Sequence, residues 1–510
     1  MEKPIETQVV IIGAGSTGTV IARELSKYKV DAILVDKAVD VGCGETRSSH
    51  GSVYSSKGLS WASSLVLKSM VLEPKDRGSL LHPESLKERL TLKGFNMFDS
   101  LAKDIDLSSY SRIKRIMIAT NDDELKKLEV TEELCKQMDF EVQRLGRDDM
   151  LALEPNVATK TIRALSDTAS ASNMYPWEYV IALAENAKAN GVRIMLGAEV
   201  KAITPVSGGF AVQTTRRPIK TEFIINAAGP YSDKIAQMAD VCDFGLRFVK
   251  SEMLVLDKRL KGLINSHIGT PPSPGSPRSV KPTASGNIHT VCHEYIPVED
   301  PEDVYTKREW GVANIVGAQE LVPSLQEKDI ITSFSGVRVF NTRDPNDHII
   351  EVSKKNPNFI NVIIRLPGVS ASPAIAEYVV GLLGNQGLAL TTNPDFNPHR
   401  KGIPQVSKLP DQQKEQLIAK DSRYGHVVCS CEKVTEGEIV EAIRRGARTV
   451  QGVKYRTRST MGRCQGNFCL PCVVKLLARE LEIPVYDVTL KSSLSHALLH
   501  RSEELLSFGE

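Results

Sequence analysis

A chain of 510 residues has room for two or three domains and a large core, and its composition, 41% hydrophobic and 25% charged, is that of an ordinary globular protein. Lys and Arg number 64 against 62 Asp and Glu, and a net charge of +2 argues against nucleic acid or an anionic lipid surface as the main partner. The first strand pattern follows Met1 too closely to leave room for a signal peptide, and no apolar run reaches bilayer length, so the expected location is the cytoplasm, with attachment to the inner face of a membrane through a partner left open.

Taken in order, the chain opens on Val9–Ile12, four apolar β-formers that run into Gly13-Ala14-Gly15-Ser16-Thr17-Gly18. A helical pattern over Thr19–Lys27 follows, with Val20, Ile21 and Leu25 on one face. The first glycine permits a tight turn, the second lets backbone approach a pyrophosphate, and the third lets the helix pack close to the strand. The N–H groups and positive dipole end of that helix favour a diphosphate. A second strand, Val30–Val35, ends in Asp36, an acid placed to hold the two hydroxyls of an adenosine ribose. Together these features predict a dinucleotide site without saying which dinucleotide. Val41–Tyr54, rich in small and hydroxyl residues, reads as a segment laid along a cofactor or as a plain surface loop.

Leu80–Tyr110 is expected to be mostly helical, Ser111–Thr120 a strand, and Asp122–Met138 a charged amphipathic helix. A helix over Glu178–Asn190 ends at Gly191. Strands follow over Arg193–Leu196, Glu199–Ile203, Phe210–Thr214 and Glu222–Asn226, the last running into Ala227-Ala228-Gly229. Such small residues let a ligand come close at the carboxyl edge of a parallel sheet. Arg247–Gly336 has the pattern of an antiparallel β layer, with a loop over Pro271–Pro277 and a trio, His289, Cys292 and His293, that suits core or surface better than metal. Asn361–Ile364 is a strand, and Arg365–Pro373 carries a second glycine turn before a helix over Ala374–Leu383. Sheet segments separated by an inserted layer suit a flavin better than a nicotinamide. The expected division is cofactor-binding segments at about 1–80, 150–240 and 340–390, a substrate layer at about 81–149 and 241–339, a linker at 391–424, a compact module at 425–490 and a tail at 491–510.

Nine cysteines are unevenly spread: Cys43, Cys135, Cys242 and Cys292 are scattered, and five lie between Cys429 and Cys472. That clustering speaks of metal rather than disulfides. Cys429, Cys431, Cys464 and Cys469 suit a [2Fe–2S] cluster, its negative charge stabilised by Arg463 and nearby backbone amides. Structural zinc is the alternative, although zinc ribbons favour two-residue gaps, present here only between Cys469 and Cys472; the place of Cys472 in the set stays open. Thr435 and Glu438 form a capping box for a helix up to Arg445, and a final helix runs to about Leu481.

On these motifs the body resembles the D-amino-acid-oxidase-like superfamily of FAD enzymes, and its combination with the cysteine module is similar to the large subunit of the anaerobic glycerol-3-phosphate dehydrogenases. The resemblance implies an α/β fold, a Rossmann-like FAD-binding domain interleaved with an antiparallel β substrate domain, followed by a small helical [2Fe–2S] domain of the bacterioferritin-associated-ferredoxin kind. It implies that Gly13, Gly15, Ser16, Thr17, Gly18, Asp36 and Lys37 hold the ADP part of FAD. Thr46, Arg47, Ser49, His50 and Gly51 would lie beside the isoalloxazine, and Val200, Ala228, Gly229, Gly368, Val369 and Ser370 would complete the contacts. Ser335-Gly336-Val337-Arg338 matches a segment whose Arg faces the substrate. Cys429-x-Cys431 and Arg456-Thr-Arg458, continued by Cys464-Gln-Gly-x-x-Cys469, match the cluster domain, the most specific similarity in the chain.

Two departures bear on the substrate. Tyr54 stands where the family has a His three residues after the His-Gly pair, and the late turn reads Pro367-Gly368-Val369-Ser370 in place of Gly-Gly-Lys, a form similar to the 2-hydroxyglutarate-oxidase branch. The implied activity is dehydrogenation of a small anionic alcohol, glycerol 3-phosphate first, with hydride passing to flavin N5. Electrons would leave singly through the cluster to an acceptor protein or partner subunit, ferredoxin-like or quinone-linked. Arg338 is the candidate for the anionic group, an Arg fork suiting carboxylate or phosphate, and His50 and Tyr54 are candidate proton acceptors. The alternatives are a 2-hydroxy acid, an amino or imino acid, and, outside enzymes of small molecules, an electron-transfer protein or zinc-stapled binding module. The long substrate layer speaks against the last.

Overall fold

The computed structural model describes residues 3–59, 61–62, 64–65, 85–272, 278–292 and 295–498. The start of the helix expected from Leu80, the loop at Ser273–Pro277, His293 and the end of the tail from residue 499 lie outside them. Four strands, Arg193–Met195, Ala32–Val35, Ile5–Ile12 and Ile219–Asn226, lie side by side and parallel, and Phe359–Ile363 extends the sheet beside the end of the last. Strands covered on both faces read as near-continuous apolar runs, as Val9–Ile12 and Ile33–Val35 do. The alternation sorts them: Val9, Ile11, Leu34 and Ile225 pack under the helices Ser16–Leu25, Leu86–Asp104, Pro176–Ala189 and Gly368–Asn385. Val10, Ile33 and Ile224 face Phe210 and Val212 of an antiparallel hairpin and Ile235 of the helix Ser232–Met238.

A second, nine-stranded sheet is mostly antiparallel and is built on the long pair Leu246–Leu256 and Ile330–Asn341, in which Val249 stands opposite Arg338. Its composition corrects the expected division at three places. Arg163–Asp167 pairs with Arg115–Ala119 in this sheet and not with the cofactor strands. The helix Leu86–Asp104 packs in the first core, where a Cβ on Gly94 would stand 2.4 Å from the Ser370 carbonyl oxygen. Periodicity shows that a helix forms, not which core receives it. Third, the layer contains a helix, Arg308–Gln319, seated by Asn314, which donates to the Glu252 carbonyl and accepts from Thr290 Oγ1. Gly311, Gly317 and the β-branched residues between them dilute its helical signal.

The segment expected as a linker is strapped along the body: Asn393 N–H donates to the Lys27 carbonyl, and Arg400 pairs with Glu185 at 2.6 Å. It carries the helix Asp411–Lys420, which buries no residue and so has no apolar period to read. Beyond it, the helices Glu436–Arg444, Val450–Thr457 and Leu470–Leu481 gather around Ile439, Ile443, Val453, Val473 and Leu477. The capping box at Thr435 and Glu438 forms as expected; the helix Val450–Thr457 has no counterpart in the sequence reading. This module is docked on the body. Arg456 grips Asp40 with two bonds of 2.5 and 2.9 Å, both side chains nearly buried, and Tyr455 stacks on Trp177, which stacks on Tyr175. Among the described residues, no helix is long and apolar enough to cross a membrane.

Candidate functional site

The glycine turn has the geometry its spacing predicts. Gly13 holds φ at +109°, and a Cβ there would meet the Ala227 carbonyl oxygen at 2.3 Å. A Cβ on Gly18 would stand 1.8 Å from the Gly13 oxygen, so helix and strand touch only because neither bears a side chain. The helix begins after Gly15 without a side-chain cap; the Ser16 N–H donates to Thr46 Oγ1 at 3.0 Å, while Thr17 and Gly18 form the rest of a buried first turn. Asp36 accepts the N–H groups of Ala14 and Ala38 at 2.6 and 2.7 Å, and burial raises its pKa against those bonds.

A cavity of about 1140 Å³ opens at the carboxyl edge of the parallel sheet. Gly13, Asp36, Lys37, Arg47, Val200 and Ala228 line it on the cofactor side, Asn287, His289, Ser335 and Val337 on the side of the second sheet, and Tyr455, Arg458, Met461 and Gln465 from the cysteine module. Gly15, Ser16, Thr17, Gly18 and Thr46 sit behind this wall. Gly51 (φ +70°) is pressed on the Met174 carbonyl, and Ser49 Oγ accepts its N–H at 3.4 Å; Gly229 stands at the sheet edge at φ +56°. The late turn differs from expectation. The helix there starts at Gly368, ahead of Pro373, and Gly368, Val369 and Ser370 are not in the cavity wall; Ser370 Oγ accepts the Tyr54 N–H at 2.8 Å. Lys37 is engaged too, its ammonium 3.7 Å from the centre of the Tyr231 ring and 2.9 Å from Glu302, a residue of the other layer.

Behind the cavity wall lies a polar chamber around a void of about 10 Å³ bounded by Ser49, His50, Asn173, Lys281 and His289. Lys281 donates to Ser52 Oγ at 2.9 Å and Asn173 Oδ1 at 3.1 Å, and Ser52 Oγ is 3.2 Å from His50 Nδ1. The His50 ring lies 5.5 Å from that of His267 and 6.5 Å from that of His289; the Tyr54 ring lies 6.4 Å from His267. Burial, then the charge of Lys281, holds His50 far below the usual imidazole range, and burial, then Arg115, brings Lys281 down to about 7. Burial lowers His267 too, and His289 to about 3. His50 Nε2, His267 Nδ1, His289 Nδ1, Arg115 Nε and Nη1, and Arg338 Nε are buried without a hydrogen-bond partner. Each such group left unpaired costs about 1–3 kcal/mol, and the void against His50, Lys281 and His289 has room for about one water molecule.

Arg338 comes to this region from the strand Ile330–Asn341. Its Nη2 is 3.5 Å from Ser251 Oγ and its guanidinium lies 5.5 Å over the Tyr295 ring. Ser335 and Val337 face the cavity, and strand alternation sends Arg338 to the other side with Gly336, whose missing Cβ makes room for Ser48. There it is close to Glu45, whose carboxyl burial raises to about 7 against the pull of Arg338. Lys281, His267, Arg115 and Glu45 were not singled out from sequence. The one signal available was a lysine in the middle of an otherwise apolar strand pattern, Ser279–Pro282.

In the module, Cys431 Sγ lies 3.6 Å from Cys464 Sγ, and the free thiols of Cys429 and Cys469 are hydrogen-bonded to each other, burial and then Cys429 pushing the Cys469 thiol up to about 12. Cys472 is exposed on the last helix and joins neither pair. The N–H groups of Gly466, Asn467 and Phe468 point at Cys464, that of Cys464 at Cys431, and that of Thr460 at Cys469. Arg463, expected beside them, instead reaches Asp257 of the body at 3.4 Å and is largely exposed. Two thiol pairs suit two irons with two thiolates each.

Residues 8–382 match the family described as FAD dependent oxidoreductase. The chain belongs to that family. Residues 427–479 match the BFD-like [2Fe-2S] binding domain. This oxidoreductase is 35% identical to glycerol 3-phosphate dehydrogenase of Caloramator mitchellensis over 94% of this chain and 95% of the relative. It is 26% identical to anaerobic glycerol-3-phosphate dehydrogenase subunit A1 of Haloferax volcanii, over 95% of this chain and 84% of the relative. Among solved structures it is similar to the FAD-bound, dithionite-reduced L-alpha-glycerophosphate oxidase of Mycoplasma pneumoniae, with a TM-score of 0.67 and 25% identity over 78% of this chain and 99% of that one. FAD and a [2Fe–2S] cluster are the cofactors, and the residues fit both: a glycine turn that tolerates no side chain beside a dinucleotide-sized cavity, and two thiol pairs ringed by backbone amides.

Proposed function

We propose that this oxidoreductase dehydrogenates a small anionic secondary alcohol, glycerol 3-phosphate being the first candidate, and delivers the electrons to a partner protein. What carries the reading is the 35% identity to a glycerol 3-phosphate dehydrogenase over 94% of this chain, and the unpartnered buried nitrogens of Arg115 and Arg338 near Lys281 support it. A phosphate supplies several acceptor oxygens at once, and beside a dianion the Lys281 amine is charged. Arg115 and Arg338 add two permanent cations to the same region. The named relatives support the same substrate class.

When bound, FAD takes the hydride and the cluster passes electrons on one at a time. The chain's own part is to hold the anion through Lys281 and Arg338 and to receive the hydroxyl proton. His50 is neutral; with Nδ1–H donated to Ser52 Oγ, its Nε2 keeps a free lone pair for that proton. Tyr54 braces the chamber beside His267. The Haloferax relative is named as a subunit, which supports an acceptor subunit for this chain, ferredoxin-like or quinone-linked, that would tie a cytoplasmic enzyme to the membrane.

The test is anaerobic mixing of the holoenzyme with glycerol 3-phosphate, 2-hydroxyglutarate or proline, followed at the flavin band. Rapid bleaching by glycerol 3-phosphate alone is expected. Bleaching by the hydroxy acid alone would make the Pro367–Pro373 turn the better guide, and bleaching by proline alone would sink the anionic-alcohol reading.

A further inference from the structure

Arg458 belongs to the cysteine module yet lies in the wall of the substrate-side cavity. Its Nε donates to Glu432 Oε2 at 2.9 Å, its Nη2 reaches Asn287 Oδ1 at 3.3 Å, and its guanidinium lies 5.0 Å over the Tyr175 ring. Glu432 is the residue after Cys431, and its side chain is only 3% exposed. The same carboxylate oxygen takes a second cation from the body, Lys258 at 2.6 Å. Two cations thus meet one buried anion next to the first thiol pair, the Arg458 side chain 19% and that of Lys258 33% exposed. On the cavity side the network continues from Asn287 to Ser285, whose N–H donates to the Tyr175 hydroxyl.

The backbone adds an independent observation. Arg458 ends the helix Val450–Thr457 at φ +69°, a left-handed position where glycine is the usual residue.

We propose that Arg458 is a positioning residue that sets the reduction potential of the cluster, by holding a positive charge, through Glu432, beside Cys431. Reduction of the cluster adds one electron and breaks no bond, so the change to be stabilised is one negative charge. A cation held nearby favours the reduced form, and the Glu432 carboxylate opposes it. The reach of this charge extends into the chamber, where burial, Lys281 and Arg458 together hold His289 near 3. The inference rests on the cluster and not on the identity of the substrate.

The experiment is a redox titration of the purified holoenzyme, with the cluster followed by electron paramagnetic resonance, for wild type, Arg458→Gln, Arg458→Lys and Glu432→Gln. Loss of the cation in R458Q is expected to shift the cluster midpoint potential to more negative values, R458K to restore most of it, and E432Q to shift it to more positive values. Opposite signs for the two charge removals are what a disturbed fold would not produce. An unchanged potential in R458Q, or a shift of the same sign in R458Q and E432Q, would overturn the proposal. If R458Q does not retain its cluster, the R458K and E432Q pair decides it by the same criterion: a near-wild-type potential in the first and a positive shift in the second uphold it, and any other pair of results overturns it.

Discussion

Replacing Lys281 by methionine should separate what the residue contributes to binding from what it costs in folding. Burial, then Arg115, lowers its pKa from 10.5 to about 7, so keeping it charged inside the protein costs about 5 kcal/mol. The unfolded chain holds the proton up to about pH 10.5 and the folded chain releases it above about 7. Stability therefore rises with pH across that window, by about 1.4 kcal/mol per unit, and this contribution is flat below it. At pH 7 the penalty is still about 4 kcal/mol, set against bonds to Ser52 and Asn173 worth about 1 kcal/mol each. Lys281→Met without substrate should be more stable than wild type at pH 7 by about 2 kcal/mol, with the gap closing towards pH 10. Its KM for an anionic substrate should rise roughly 10- to 150-fold, the loss of one charge-assisted bond of about 1.5–3 kcal/mol. Thermal melting of both proteins from pH 6 to 10 and steady-state kinetics with a dye acceptor measure the two effects. A variant that melts below wild type at pH 7, or a gap that widens with pH, would refute the reasoning.

Three other changes probe other parts of the molecule. Gly18→Ala puts a methyl where 1.8 Å separates it from the Gly13 oxygen, and the purified variant should lack flavin absorbance; full flavin content would remove the turn from the site. Cys464→Ser should abolish the cluster signal while Cys472→Ser leaves it intact, and the reverse result would redraw the ligand set. Asp40→Asn leaves the Arg456 cation buried without its partner, at a cost of about 3–5 kcal/mol. Trypsin should then cut the 391–424 segment far faster than in wild type; equal rates would show that the pair does not hold the module in place.

The cofactor turn was legible in sequence because every residue in it is constrained locally. Gly13, Gly18 and Asp36 act within one strand–turn–helix unit, and their spacing is their geometry. The two thiol pairs were legible for the same reason, since all four cysteines belong to one small module. The polar chamber was not. His50, Arg115, His267 and Lys281 come from four different segments: the pairing of His267–Gly269 with both Arg115–Ala119 and Ser279–Pro282 brings three of them together, and His50 arrives beside the separate strand Ser52–Tyr54. Arg338 was found by resemblance, yet its strand register turns it to the face opposite Ser335 and Val337, a consequence of alternation counted from a start that sequence leaves uncertain by a residue or two. Arg463 was named because it precedes Cys464 in the chain, yet in the fold it reaches Asp257, while Arg458 pairs with Glu432.

The docking of the module has a consequence for how the molecule is put together. One wall of the cavity is made of Gly13, Asp36 and Arg47, and another of Tyr455, Arg458 and Gln465, so the chamber's first and last sides are synthesised at opposite ends of the polypeptide. A dinucleotide lying between them cannot be enclosed until the C-terminal helices have been made and have folded. The wall of the cavity is thus completed by the last part of the chain to be made.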